Sequence, residues 1–127
     1  MTLDEFFAGY EESRPLFEAL HRAIDKSGPI ELAISKSQIA FRRAGQRSAF
    51  ARVWLPKRYL QRGAPLVLTL GFRYRDASPR WKEVVEPQLG RFTHHLELWS
   101  LTDIDEEVRA WLRIAWANSQ LSQNSLK

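Results

Sequence analysis

The chain has 127 residues, 44% of them hydrophobic and 27% charged, which is enough to bury one core but not two. It has no cysteine, and that excludes disulfides, thiol catalysis and zinc sites built on thiolates. The net charge of +4 hides a strong internal asymmetry: residues 1–35 carry −4, residues 36–91 carry +10 and residues 92–127 carry −2.

No apolar run approaches the roughly 20 residues that span a bilayer. The start, MTLDEFFAGYEES, lacks the basic and then apolar order of a secretion signal. The expectation is a single domain over residues 1–127, cytoplasmic and without a membrane partner.

In chain order, Thr2 with Glu5 three residues later fits a capping box, and Gly9 ends that short helix. Ser13 is a candidate cap for a second helix, with Pro15 tolerated in its first turn. Leu16, Phe17, Leu20, Ala23 and Ile24 share one face before Gly28 and Pro29 stop it.

From Ile30 the apolar period changes to two. IELAIS and QIAFRR read as strands joined by a polar turn at Ser35–Ser37. AFARVWL is a third strand, with Phe50, Arg52 and Trp54 expected on one face, broken by Pro56. KRYLQRGA is a connection. PLVLTLGF, apolar at nearly every position, reads as a central strand. RYRDASPR is a polar loop. WKEVVEP stays open, since Ser78 can cap a turn with Pro79 at its first position.

RFTHHLELWS is the fifth strand. It puts Phe92, His94, Leu96 and Leu98 on one face and Thr93, His95, Glu97 and Trp99 on the other. A last helix runs through DIDEEVRAWLRIAWANSQ, with Thr102 as its candidate cap and residues 121–127 as a frayed tail. The pattern predicts an α+β fold: N-terminal helices, a five-stranded mostly antiparallel sheet, and a C-terminal helix packed on one sheet face.

The chemistry-bearing residues are few. His94 and His95 point to opposite faces of a strand and cannot clasp one ion together. His94 is either a core histidine satisfied by one partner or a group lining a pocket. His95 lies two residues from Glu97, which can orient it or simply pair with it across a solvated face.

No metal-ligand spacing, glycine-rich phosphate loop or converging carboxylate set is present, and no cofactor is expected. The acidic DIDEE run sits at a helix start, where it complements the dipole.

What remains is basic and aromatic. Lys36 and Ser37 lie in a turn between strands. Arg80, Trp81 and Lys82 are consecutive, and Arg42, Arg52 and Arg73 join the same field if they share a face. Arginine offers a planar fork to phosphate or carboxylate, and tryptophan offers a flat apolar ring. The same residues can instead be a tryptophan packed under a loop with its neighbours reaching outward.

Several stretches together, FFAG, GPIELAISKSQIAF, RVWLPKRYL, SPRWKEVVEP, RFTHHLEL and DEEVRAWLRIAW, resemble a bacterial family of small domains of unknown function. The resemblance covers nearly the whole chain. Its most specific pieces are the Lys36–Ser37 turn and the Thr93-His94-His95 strand. Relatives are sometimes fused to nuclease-like regions or labelled predicted transport proteins. The resemblance implies an α+β fold and no assigned activity, and it points to Lys36, Ser37, Arg80 and His94 or His95 as the places to test.

The expectation is therefore a non-enzymatic binding module for an anionic small molecule or nucleic acid. Its ligand residues would be Lys36, Ser37, Arg42, Arg80, Trp81, Lys82, His94 and His95. Two alternatives stand beside it: a small-pocket enzyme using His95, Glu97 and Lys36, and a protein–protein module using exposed aromatics such as Trp54 or Trp99.

Overall fold

The computed structural model describes residues 1–125, and their side chains as far as Ser119. Helix α1 (Leu3–Phe7) is closed by the Thr2–Glu5 capping box. A 3-10 turn (Glu11–Ser13) leads into α2 (Arg14–Asp25). Ser13 stands at the cap position without capping, and its buried hydroxyl has no partner among the described residues.

Six strands follow, not five: β1 (Ile30–Ile34), β2 (Ile39–Arg43), β3 (Ala49–Trp54), β4 (Leu66–Phe72), β5 (Glu83–Gln88) and β6 (Arg91–Leu98). A short helix, α3 (Pro56–Leu60), interrupts them after β3. The ambiguous WKEVVEP segment contributes the additional strand, β5.

All pairings are antiparallel, in the order β1-β2-β3-β4-β6-β5. β4 lies inside the sheet, and Leu66, Leu68, Leu70 and Phe72 are all buried on its helix-covered face. Each such side chain contributes about 1.5–3 kcal/mol.

Helix α4 (Glu106–Ser125) lies against β3 and β4 through Val108, Trp111, Leu112 and Ala115. Helix α2 packs beside it, with Phe17 stacked on Phe41 of β2 at 5.8 Å. Thr102 does not cap α4. It sits in a 3-10 turn (Leu101–Asp103), and Asp105 takes the capping role by accepting the Val108 N–H at 3.1 Å. The helix continues through Ser125, so most of the expected frayed tail is helical, and residues 126–127 lie outside the described part.

Phe50 does not share a face with Arg52 and Trp54. A register shift between β2 and β3 pairs Phe41 with Ala51 but Arg42 with Ala49. The extra residue, Phe50, turns into the core and meets Trp116 edge-on at 5.6 Å. A bulge resets strand parity in this way.

Trp116 is held on its other sides as well. The Arg43 guanidinium sits 4.0 Å above its ring, and Gly28 (φ +155°) lies so close that a Cβ there would come within 2.7 Å of it. Gly28→Ala should therefore destabilise the protein by about 1–3 kcal/mol, the range for overpacking. The loss should shrink in a Trp116→Leu background. An unchanged urea midpoint would show that the ring is not fixed there.

Candidate functional site

The face of the sheet away from α2 and α4 carries the candidate site. Register fixes one row across it: Glu83 on β5, His95 on β6, Thr69 on β4, Arg52 on β3, Ala40 on β2 and Ala33 on β1. The neighbouring row brings Glu97, Val67 and Trp54 side by side. Small side chains at Ala33 and Ala40 keep the β1–β2 half of the first row low.

Helix α3 stands beside these rows and exposes Tyr59 and Leu60. Arg58 ties it down by donating from Nη1 to the Lys36 carbonyl at 2.6 Å and from Nη2 to the Phe6 carbonyl. Its guanidinium also lies over the rings of Phe6 and Tyr10. Gln61 closes the helix in a left-handed conformation. The β1–β2 turn, α1 and α3 are thereby fixed relative to one another.

Two depressions result. One, of ≈ 620 Å³, runs between Ser37 and Gln38 at one end and Thr69 and His95 at the other, with Arg52 and Tyr59 in its walls. The second, of ≈ 480 Å³, continues toward Arg62, Lys82, Glu83 and Glu97. Trp54, Leu60 and His95 line both, so the two adjoin.

His95 is half-buried and shares a 2.9 Å hydrogen bond between its Nδ1 and Thr69 Oγ1. Burial lowers its pKa, against the opposing pull of Glu83 directly across the strand pair, so the ring is neutral at pH 7. Glu97 does not orient it. That carboxylate pairs with Lys82 Nζ at 3.1 Å, so the expected His95–Glu97–Lys36 arrangement is not assembled.

Among the described residues no carboxylate pairs with Arg52, which is exposed at the middle of the face. Arg42 lies on the same face opposite Glu31, and its buried Nε has no hydrogen-bond partner among the described residues.

The sequence-predicted residues thus divide. Ser37, Lys82 and His95 line the depressions, Lys36 is exposed in the same turn as Ser37, and Arg42 lies on the same sheet face. Arg80, Trp81 and His94 belong to the opposite side.

Arg80 Nη1 donates to Asp105 (3.0 and 3.1 Å) and to Glu107 (2.8 Å), and its Nη2 donates to the Asp103 carbonyl (3.0 Å). Carboxylates at the start of α4 therefore neutralise it, and their hydrogen bonds, Glu107's first, raise its pKa. Trp81 is buried 4.1 Å from Trp111, and its indole N–H donates to Asp76 at 2.8 Å. His94 is fully buried between Phe72 and Trp81. These three residues join the Asp76–Lys82 loop and α4 to the core: Trp81 and His94 are buried, and the partly exposed Arg80 guanidinium is engaged by Asp103, Asp105 and Glu107.

Thr69, Tyr59, Leu60 and Arg62 were not foreseen. Thr69 had a signal, as the only polar side chain in the run LVLTL. Tyr59 and Leu60 had none, because their role depends on where α3 lies.

Among the described residues no group of three or more His, Cys, Asp or Glu is arranged to hold a metal ion. No helix among them is long and apolar enough to cross a membrane. The architecture is that of an α+β domain with one helix-covered and one open sheet face. The family model of a domain of unknown function, DUF5655, matches residues 3–119, and the chain belongs to that family. The match spans every residue of the open face. No curated protein and no solved structure matches the chain.

Proposed function

We propose that this chain is a binding module whose open sheet face takes an anionic ligand carrying a flat apolar part. The observation that supports this most directly is Arg52, an exposed arginine with no carboxylate partner among the described residues, in a depression shared with Trp54 and Tyr59. A free guanidinium holds phosphate or carboxylate through two parallel hydrogen bonds. The aromatic rings supply a stacking surface beside it, and the neutral His95–Thr69 pair supplies hydrogen bonds without adding charge. Lys36, Arg42 and Arg62 raise the local positive potential and draw anions toward the face.

The test uses fluorescent ATP and a fluorescent thymidine octamer at low salt, where phosphate-driven association is strongest. Binding of either probe should fall in Arg52→Ala and in Trp54→Ala. A lost stacking contact is worth about 1–3 kcal/mol, or roughly 5- to 150-fold in affinity. Arg80→Ala should leave affinity unchanged wherever the variant is folded. Failure of both probes to bind at low salt would remove the proposal, as would equal binding by wild type and Arg52→Ala.

A further inference from the structure

Resting on that reading of the open face, we infer that its ligand is a single-stranded nucleic acid laid across the sheet, not a mononucleotide. The two depressions adjoin, because Trp54, Leu60 and His95 line both, and a strand passing over these three residues would occupy them together as one trough. The trough reaches from Gln38 beside β2 to Glu83 on β5, across four inter-strand intervals. At ~4.8 Å each these give about 19 Å, more than one nucleotide needs.

The cations are distributed in the same way. Lys36 is beside the Ser37 end, Arg52 is in the middle, and Arg62 is at the far end, where Lys82 is paired with Glu97. A mononucleotide would call for its cations at one point, whereas a strand presents a phosphate at every step. Trp54 and Tyr59 lie between these charges, where unstacked bases can pile on them. A duplex keeps its bases stacked within and could use only the charges.

Two carboxylates qualify the far end. Glu97 is neutralised by Lys82, while Glu83 opposes an anion beside His95. Glu83→Gln should therefore tighten binding.

Anisotropy titrations of the full chain with labelled oligothymidylates of increasing length test the inference. Affinity should rise with length and level off near the lower end of the ~4–16 nucleotides typical of sheet-based single-strand sites. Three phosphate contacts, at Lys36, Arg52 and Arg62, predict a slope of log K against log salt of roughly −2, reduced in size by about 0.7 in Arg52→Ala. Arg52 is exposed, so that variant keeps the test valid should Trp54→Ala fail to fold.

A 12-base-pair duplex, ATP and inorganic polyphosphate serve as competitors. If ATP binds as tightly as the octamer, the single-strand inference falls while the open face remains an anion site. If duplex or polyphosphate competes equally per phosphate, the aromatic residues play no part and the inference also falls. If no probe binds at low salt, both readings fall together.

Discussion

Trp81→Ala is expected to cost about 3–5 kcal/mol of stability, the range for truncating a buried aromatic, while leaving ligand binding at the open face unchanged in the fraction that stays folded. Trp81 is 8% exposed and closes the gap between the sheet and α4. Its ring is 4.1 Å from Trp111, 4.8 Å from His94 and 5.9 Å from Phe72. Its indole N–H holds Asp76, which also accepts the Ser78 N–H, so one substitution opens a cavity and releases the loop before β5. Urea unfolding followed by circular dichroism measures the loss. Trp81→Phe should recover most of the packing but not the Asp76 bond, and should fall between the two. A loss below about 1 kcal/mol for Trp81→Ala would mean that the ring does not carry this junction and is available to a ligand after all.

The same region shows which parts of the molecule could be read from sequence. Periodicity revealed the faces of β6 correctly, because each residue from Phe92 to Leu98 alternates between core and open face without interruption. It did not reveal β5. That strand has a single core-facing apolar residue, Val84, while Val85, Glu86, Pro87 and Gln88 are exposed at the sheet edge. A proline tolerated at an edge reads in sequence as a break.

Arg80 was indistinguishable from Arg52 for a different reason. Both are arginines in the basic central segment, but Asp105 and Glu107 reach Arg80 from 25 and 27 residues away. Which cations are neutralised is a property of tertiary contacts, and charge counts along the chain cannot supply it. The bulge at Phe50 marks a third limit. Strand parity carried across it assigns Phe50 to the open face, when the inserted residue has turned into the core.

Acidification should weaken the fold through His94, and His94→Gln should remove part of that sensitivity. His94 Nε2 accepts the Asp76 backbone N–H at 3.0 Å, and Nδ1 lies 3.3 Å from the Phe92 carbonyl, which fixes the proton on Nδ1. Protonating Nε2 would set two donors against each other, and a buried N–H left without its acceptor costs about 1–3 kcal/mol. Burial is the main cause of the lowered pKa. The Phe92 carbonyl and Asp76 oppose it, and Arg75 and His95 add to it.

A histidine whose pKa is lower folded than unfolded binds more protons in the unfolded state. Stability is therefore full above about pH 6.5, the unfolded value, falls as pH drops below it, and levels off under the folded value. His95 is shifted in the same direction and contributes its own share. Unfolding midpoints measured from pH 7.5 down to pH 5 should decline in the wild type and decline less steeply in His94→Gln, whose side-chain carbonyl can still accept from Asp76. The slope should flatten further once His95→Gln is added. An identical slope in wild type and His94→Gln would show that the imidazole is not held neutral between Phe72 and Trp81.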